Sequence, residues 1–349
     1  MTPTAPGSRI AGNLGLTDRV FAGPRSRKLL ATVEAGLKRV DAALERELRV
    51  TDALADATSR YLYEAGGKRV RPMLALLTAQ LGDGVTDDVI EGATALEMTH
   101  LGSLYHDDVM DEADKRRGVP SAHEVWGNSV AILTGDLLFS RASQIMARHG
   151  DRAIHLQADT FERLVLGQMH ETVGPGEGDD PAEFYLTVLS DKTGSLIAAA
   201  AQLGVVFSNA PREYEEPVML FGERIGVAFQ LVDDVLDLSP RSEETGKLAG
   251  TDLRAGVPTL PLLHLRRRAE QDAASAALVA RIEGGIANPD SPDLAAAIEE
   301  LREHEATAVT LAESHRWAAS AVAALKPLPG GTVKKALTRF ADVMVERSS

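Results

Sequence analysis

The sequence contains the triplet Asp-Asp-x-x-Asp twice, each time within an apolar stretch of helical periodicity. The first copy lies in LYHDDVMDEA and the second in FQLVDDVLDL. On a helix the first and last Asp of a triplet share a face, where like charges repel by roughly 0.2–0.5 kcal/mol. Burial among apolar side chains costs far more unless a cation is present. The acidic residues are Asp107, Asp108 and Asp111 in the first triplet and Asp233, Asp234 and Asp237 in the second.

A single triplet of this kind is most simply explained as a solvated acidic face of a helix. Two copies with the same spacing instead indicate two helices that present carboxylates to a shared hard cation. Mg²⁺ is the best candidate, because it takes oxygen ligands and is commonly held by carboxylates together with substrate phosphates. We therefore predict that both triplets bind magnesium.

The composition favours an α-helical protein that does not bind nucleic acid. Hydrophobic residues make up 44% of the chain but aromatic residues only 4%, and Ala and Leu favour helices over strands. The formal net charge of −14 argues against a nucleic-acid partner. The absence of cysteine excludes disulfides, thiolate catalysis and zinc bound by cysteine.

The chain is predicted to hold a flexible N-terminal arm and one all-helical domain. Residues 1–24 are rich in Pro, Gly and Ser, whereas residues 25–349 show helical periodicity without a separating linker or a credible strand pair. Continuous helical runs are expected at about 182–208 and 258–284. A long polar break at 239–258 is a candidate lid. No apolar segment reads as a signal peptide or a membrane span, so we expect a cytoplasmic protein.

Basic residues occur in two segments that can bind phosphate. In Gly66-Gly67-Lys68-Arg69-Val70-Arg71-Pro72, glycines precede basic residues at a helix N-terminus, where backbone N–H groups and the helix dipole favour an anion. The alternative is a helix C-cap followed by a solvated basic turn. Arg116 and Arg117 follow the first triplet closely. They either grip phosphate oxygens or pair with nearby carboxylates such as Asp114.

Further polar residues accompany the triplets. His100 lies two helical turns before Asp107 and thus on nearly the same face of the helix. It is either a ligand-binding residue or a structural one. A Lys and a hydroxyl stand together in DKTGS between apolar helical segments, where they need polar partners. The candidates from this group are Lys192, Thr193, Gln230 just before the second triplet, and Lys247 and Asp252 in the polar segment after it.

Taken in order, five motifs resemble those of the trans-isoprenyl diphosphate synthases, also called polyprenyl synthetases. They are GGKRVRP, HDDVMDEADKRRG, KTGSL, FQLVDDVLD and GTDLRAGVPTLP. The resemblance covers about 27–345 and is nearest to the bacterial long-chain enzymes of actinobacterial type. It implies an all-α bundle around a deep central cavity, usually a homodimer. It also implies a prenyltransferase that joins isopentenyl diphosphate to an allylic diphosphate, with about three Mg²⁺ ions.

The resemblance also implies a role for each candidate residue. Asp107, Asp111 and Asp233 would bind Mg²⁺, supported by Asp108, Asp234 and Asp237. The diphosphate of isopentenyl diphosphate would be bound by Lys68, Arg71, His100 and Arg117. The allylic substrate would face Arg116, Lys192, Thr193, Gln230 and Lys247. Of these, Arg116 and Lys192 would neutralise the departing diphosphate, and Thr193 and Gln230 would stabilise the allylic cation. No nucleic acid is implied, and the membrane would be touched only transiently during release of the apolar product.

Product length is expected to depend on Gly102 and Ser103, about one helical turn before Asp107. In the family, aromatic residues at these positions form the floor of the cavity. Because both are small here, the resemblance implies a product of C30 or longer. Two positions depart from the family: Val257 stands where many relatives have Lys, and Gly102 where long-chain relatives more often have Ala.

Two other functions fit parts of the pattern. A class I terpene cyclase also uses an Asp-rich helix and magnesium, but its second metal motif is of an Asn/Ser/Glu type and its cavity is lined by aromatic residues. A non-catalytic subunit of a partner synthase usually lacks Asp or Arg residues of the motifs. Both complete triplets and the 4% aromatic content favour the synthase over either alternative.

Overall fold

A computed structural model of the protein describes residues 16–21, 26–239 and 249–346. Within them the regular elements are helices, apart from one short hairpin. The first helices are α1 (Arg27–Glu47), α2 (Ala53–Glu64), α3 (Val70–Thr78), α4 (Asp87–Met110), α5 (Ala122–Trp126), α6 (Asn128–Ala147), α7 (Asp151–Val173) and α8 (Pro181–Leu189). They are followed by α9 (Ser195–Phe207), α10 (Glu215–Asp237), α11 (Thr251–Arg254), α12 (Leu260–Ala269), α13 (Ala273–Gly285), α14 (Pro292–Glu303), α15 (Glu305–Ala324) and α16 (Thr332–Val345). Short 3₁₀ turns occupy Ala79–Leu81 and Arg212–Tyr214, and the hairpin strands are β1 (Lys115–Arg116) and β2 (Val119–Pro120).

Contacts between Cα atoms divide the chain into two compact units. The first unit comprises Met1–Arg163, Ser195–Gly222 and Ala324–Val343, and the second comprises Leu164–Gly194, Glu223–Ala323 and Met344–Ser349. Four of the five boundaries fall inside continuous helices, namely α7, α10, α15 and α16, rather than in a linker. The first triplet belongs to the first unit and the second triplet to the second.

Helix α4, which carries the first triplet, lies at the centre of the first unit. Its N-terminus is capped by Thr86, whose Oγ1 accepts the N–H of Val89 at 3.2 Å, and Asp87 and Asp88 in the first turn complement the helix dipole. The helix is buried along most of its length and packs against α1, α3, α6 and α9. This burial fixes the position of the triplet at its C-terminal end.

The second unit contains two apolar clusters. One is formed by residues of α12, α13 and α14 together with Leu238 and Leu253. The other joins α8, α10 and α12 through Leu189, Leu231 and Leu260, with Tyr185 packed against it. The second cluster supports the C-terminal part of α10, where the second triplet lies.

Three local features differ from the sequence-based expectations. The expected helix at 182–208 is interrupted by a π-helical turn, Ser190–Gly194. The expected helix at 258–284 is two helices, because Asp272 caps the second by accepting the N–H of Ser275 at 2.8 Å. The hairpin was not expected; its loop residues Arg117 and Gly118 both have positive φ, of 54° and 81°, as a tight two-residue hairpin turn requires.

The expected arm and lid lie partly outside the described residues. Residues 1–15 and 22–25 are among those not described, while residues 16–20 form a helical turn in which Val20 is buried. Of the candidate lid, 240–248 is not described, and Lys247 lies there. Among the described residues, none of the helices combines the length and the apolar character needed to cross a membrane.

Candidate active site

The three aspartates of the first triplet have different environments. Asp107 is half-buried and Asp111 is exposed, whereas Asp108 is fully buried. Arg116 donates from Nε to Oδ1 of Asp108 at 2.6 Å. Burial raises the pKa of Asp108, and the charge of Arg116 opposes this shift. Asp108 therefore holds Arg116, while the outer two carboxylates remain accessible to a ligand.

The hairpin directs the two neighbouring arginines to different partners. Arg116 pairs with Val119 across the hairpin, and Tyr61 donates from its hydroxyl to the carbonyl of Pro120 at 2.8 Å. Arg117, in the turn, donates to the carbonyl of Leu62 at 2.7 Å and also to that of Gly66. Arg117 thus caps the C-terminal end of α2 and reaches the glycine pair of the basic motif.

Gly67 is required where two guanidinium groups approach the chain. A Cβ atom at Gly67 would lie 2.7 Å from Nη1 of Arg69 and 3.1 Å from Nη2 of Arg117. The φ angle of 156° at Gly67 also lies in a region that residues with a side chain rarely adopt. The glycine of the motif therefore lets Arg69 and Arg117 come together at the start of α3.

Arg69 is a structural residue rather than a substrate ligand. Its guanidinium bonds Asp41 at 2.9 Å and the buried Glu97 at 3.0 Å, and it lies 5.1 Å from the centre of the Tyr63 ring. Because Arg69 has a φ of 48°, these contacts also hold a strained backbone at the N-cap of α3. They fix the turn that contains Lys68 and that leads into the first turn of α3, where Arg71 lies.

Arg71 and His100 form the half-buried inner part of the basic group. Burial lowers the pKa of Arg71, and the Nε atom of this residue is buried without a hydrogen-bond partner among the described residues. Burial, and next the charges of Arg71 and Arg117, hold the pKa of His100 well below its usual range. Burial likewise lowers the pKa of Arg117 to about 10. Several cations share this region with one buried carboxylate, Glu97, so a bound anion would be strongly favoured.

The second triplet repeats the pattern of the first. Asp234 is buried and accepts the hydroxyl of Tyr185 at its Oδ2 atom, at 2.8 Å. Burial raises the pKa of Asp234 well above its usual value. Asp233 and Asp237 are half-buried, and the carboxylate of Asp237 accepts the N–H of Asp252 at 3.1 Å. As in the first triplet, a protein side chain holds the middle aspartate.

The KTG motif lies in the π-helical turn Ser190–Gly194, a form that occurs frequently at functional sites. Lys192 donates from Nζ to Oε2 of Glu171 on α7. The close approach of the two segments requires Gly167, because a Cβ there would lie 2.6 Å from the backbone nitrogen of Lys192. Glu171 therefore fixes the ammonium group of Lys192, which the family resemblance assigns to the allylic substrate.

Sequence reasoning missed two polar residues on α7. Glu171 holds Lys192, and Gln168 has a buried Oε1 atom without a hydrogen-bond partner in the described part of the chain. The available signal was the string Gly167-Gln168-x-x-Glu171, a small residue followed by two polar residues within a helix. Such a pattern indicates a close helix contact with polar groups beside it.

The expected chain-length residues lie at the contact of α4 with α6. A Cβ at Gly102 would stand 3.1 Å from the carbonyl oxygen of Gly135 and 3.2 Å from the ring of Phe139. Ser103 is buried, and its Oγ donates to the carbonyl of His100 at 2.9 Å. A large side chain at Gly102 would therefore displace Phe139 as well as fill space.

Each of the two units contains some of the site residues that the sequence predicts. The first unit contains Lys68, Arg71, His100, Gly102, Ser103, Asp107, Asp108, Asp111, Arg116 and Arg117, and the second contains Lys192, Thr193, Gln230, Asp233, Asp234 and Asp237. Thr193 and Gln230 are half-buried. Within the ranges that the structure describes, no three His, Asp or Glu side chains form a complete metal-binding group.

Comparison with known proteins identifies the class of this all-helical chain. The polyprenyl synthetase family matches residues 52–298, and the chain belongs to that family. It is 43% identical to the nonaprenyl diphosphate synthase of Mycobacterium tuberculosis over 343 residues, 98% of each chain.

Solved structures agree in fold with the described helices. A polyprenyl synthase from Caulobacter crescentus, complexed with calcium and isoprenyl diphosphate, has a TM-score of 0.82 at 30% identity and covers 95% of this chain and 98% of its own. A geranylgeranyl pyrophosphate synthase from Corynebacterium glutamicum, with the same ligands, has a TM-score of 0.80 at 39% identity and covers 94% and 99%. The all-α prediction and the family resemblance are thus confirmed.

Proposed function

We propose that this chain is a trans-polyprenyl diphosphate synthase that makes a long-chain product of C30 or more. The observation that carries the proposal is the shared design of the two triplets. In each, the middle aspartate is buried against a donor from the protein, Arg116 or Tyr185, and the outer two are less buried. Family membership and the long-chain synthase of M. tuberculosis support the same activity.

The outer aspartates are proposed to hold Mg²⁺, with about three ions for each allylic diphosphate. Asp107, Asp111, Asp233 and Asp237 supply only carboxylate oxygens, the ligands that Mg²⁺ prefers. The calcium in two related structures supports a divalent cation in this family. When bound, Mg²⁺ supplies positive charge that stabilises a departing diphosphate. Asp108 and Asp234 support the metal ligands by fixing the helices and side chains beside them.

Isopentenyl diphosphate is proposed to bind at the basic group of the first unit. Lys68 precedes and Arg71 follows the N-cap residue Arg69 of α3, and Arg117 lies beside Gly66 and Gly67. The neutral imidazole of His100, whose pKa is low because of burial and neighbouring charge, can donate one hydrogen bond to a diphosphate oxygen. Binding of the anion offsets the positive charge that this group concentrates.

The allylic substrate is proposed to react through ionisation, condensation and elimination. Arg116 and Lys192 neutralise the leaving diphosphate as the allylic C–O bond breaks. The oxygen atoms of Thr193 and Gln230 stabilise the allylic cation, and Lys247 contacts the same substrate. The double bond of isopentenyl diphosphate then forms the new C–C bond, and a proton passes to the released diphosphate. Water must be excluded because it would capture the cation.

A homodimer is proposed as the functional form. Adjacent apolar side chains on α6 are exposed: Ile132 is 40% and Leu133 is 64% exposed. Paired apolar side chains of this kind are suited to a second copy of the helix. We propose a cytoplasmic location, with transient membrane contact during release of the apolar product.

The test is product analysis with radiolabelled isopentenyl diphosphate and allylic primers from C5 to C20. We expect Mg²⁺-dependent incorporation of label into products of C30 or longer. A hydrocarbon formed from farnesyl diphosphate alone would instead identify a terpene cyclase. Purified chain without activity on any primer would contradict the proposed function and would indicate a subunit that needs a partner.

A further inference from the structure

Three buried polar atoms near the first triplet have no hydrogen-bond partner among the described residues. They are Oδ2 of Asp108, Oγ of Ser121 and Nδ1 of His123. Asp108 and Ser121 are fully buried, and the side chain of His123 is 8% exposed. Because buried polar groups in folded proteins are nearly always hydrogen-bonded, three such atoms on neighbouring segments require an explanation.

The hairpin places Ser121 on the same side as Arg116. Strand β1 pairs with β2 so that Arg116 lies opposite Val119. The N–H of Ser121 donates to the carbonyl of Asp114 at 2.9 Å, which extends this ladder beyond the strands. Because alternate residues of a strand share a face, Ser121 lies on the face of Val119 and Arg116. Its hydroxyl is therefore on the side from which Arg116 reaches Asp108.

Ser121 is the N-cap residue of α5, yet its hydroxyl makes no capping bond. Serine at this position usually accepts a backbone N–H from the first turn of the helix. The Oγ atom is instead buried without a partner among the described residues, so its hydrogen-bonding capacity is left for another group. His123 follows in the first turn of α5, which packs against α4, the helix that carries Asp108.

His123 lies close enough to Asp108 to act on its charge. Burial raises the pKa of Asp108, and the charges of Arg116 and, more weakly, of His123 oppose this shift. The other ring nitrogen of His123, Nε2, lies 3.4 Å from Oε1 of the exposed Glu124. A neutral imidazole that carries its proton on Nε2, toward this carboxylate, has an acceptor at Nδ1. The three atoms thus comprise two acceptors and one hydroxyl that can donate.

From these placements we infer that one buried water molecule joins Asp108, Ser121 and His123. A water that donates to Oδ2 of Asp108 and to Nδ1 of His123, and accepts the hydroxyl of Ser121, gives each atom a partner. Three hydrogen bonds are the usual number for a buried water. Ser121 and His123 are thereby positioning residues, because they hold the carboxylate that in turn holds Arg116. The consequence for catalysis rests on the proposed function, in which Arg116 faces the allylic diphosphate.

Crystal structures of the wild type and of Ser121→Ala test the water directly. In the wild type we expect density for a water within about 3.2 Å of all three atoms, and in Ser121→Ala we expect this density to be lost. A wild-type structure in which no water reaches all three atoms, or in which His123 bonds Asp108 directly, would refute the inference. This result does not depend on activity, so it is separate from the proposed function.

Kinetic measurements test the positioning role. Ser121→Ala loses the hydroxyl and His123→Phe loses Nδ1, so kcat/KM for the allylic substrate should fall about tenfold in each, as expected for loss of one hydrogen bond. KM for isopentenyl diphosphate should change little. His123→Asn, whose Oδ1 can replace Nδ1, should restore most of the activity, and Ser129→Ala, at an exposed position, should match the wild type.

The His123 variants also decide the question if Ser121→Ala does not fold. If His123→Asn is as impaired as His123→Phe, or if both substrates are affected equally, the positioning role is wrong. If the wild type has no activity with any allylic primer, the proposed function fails, and the crystal structures still decide whether the water is present.

Discussion

Arg116 binds Asp108 at 2.6 Å, from Nε to Oδ1, with the carboxylate fully buried and the arginine side chain 32% exposed. This pair joins the hairpin to the first triplet. Arg116 donates to Oδ1 of this buried carboxylate, whereas its Oδ2 atom has no donor among the described residues. The ion pair with Asp108 therefore fixes the position of Arg116. Under the proposed function, the middle aspartate would therefore act on the substrate indirectly, through the arginine.

Removal of this carboxylate is predicted to affect stability more than removal of an exposed one. Asp108→Ala leaves Arg116 without its buried partner and should lower the free energy of unfolding by about 2 kcal/mol, less than for a fully buried pair because Arg116 is partly exposed. Asp111→Ala, at an exposed position, should change it little. Urea denaturation of both variants is the measurement, and equal stabilities would contradict the assigned difference.

Tyr185 is predicted to position the second triplet. Tyr185→Phe leaves the buried Asp234 without its hydroxyl donor, which should cost about 1–3 kcal/mol of stability. The substitution should also raise the Mg²⁺ concentration needed for half-maximal activity, because the helix that carries Asp233 and Asp237 is then held less firmly. Tyr214→Phe, in the 3₁₀ turn Arg212–Tyr214, is the matched control. An unchanged Mg²⁺ requirement in Tyr185→Phe would show that the bond is structural only.

Glu171 is predicted to position Lys192 for the allylic diphosphate. Glu171→Gln keeps the size of the side chain but loses the charge that holds the ammonium group. KM for the allylic substrate should rise severalfold, with a smaller change in KM for isopentenyl diphosphate. Glu162→Gln, at an exposed position on the same helix, serves as the control. Equal effects on the two KM values would contradict a specific role at Lys192.

The lowered pKa of the half-buried His100 predicts a pH dependence of stability. Its pKa in the folded protein lies well below the usual value, whereas in the unfolded chain it is about 6.5. Below pH 6.5 His100 binds a proton in the unfolded chain but not in the folded protein. The free energy of unfolding should therefore fall as the pH decreases from 6.5. His100→Gln should reduce this fall between pH 8 and 5.5 in denaturant titrations, and His155→Gln, at an exposed position, should not. Identical pH profiles for wild type and His100→Gln would contradict the prediction.

The helical fold class and the positions of the acidic and basic motifs could be predicted from the sequence, because they depend on local patterns of residues. The capping of α4 by Thr86, for example, follows from residue type and spacing. The sequence assigned Asp108 and Asp234 a supporting role, but it could not predict that each is buried against a particular donor. Those donors are a distant Tyr185 and an arginine placed by an unexpected hairpin. The roles of Arg69 and Glu171 were missed for the same reason: both depend on contacts between helices.

The measurement that tests the central claim most directly is isopentenyl diphosphate incorporation by Asp107→Ala and Asp233→Ala at saturating Mg²⁺. Loss of metal-based stabilisation worth several kcal/mol should reduce turnover by about 10²–10⁴-fold in each variant. Asp159→Ala, at an exposed position on α7, should retain wild-type activity. If either triplet variant folds and retains turnover within a few fold of wild type, the assignment of the metals to the two triplets is wrong.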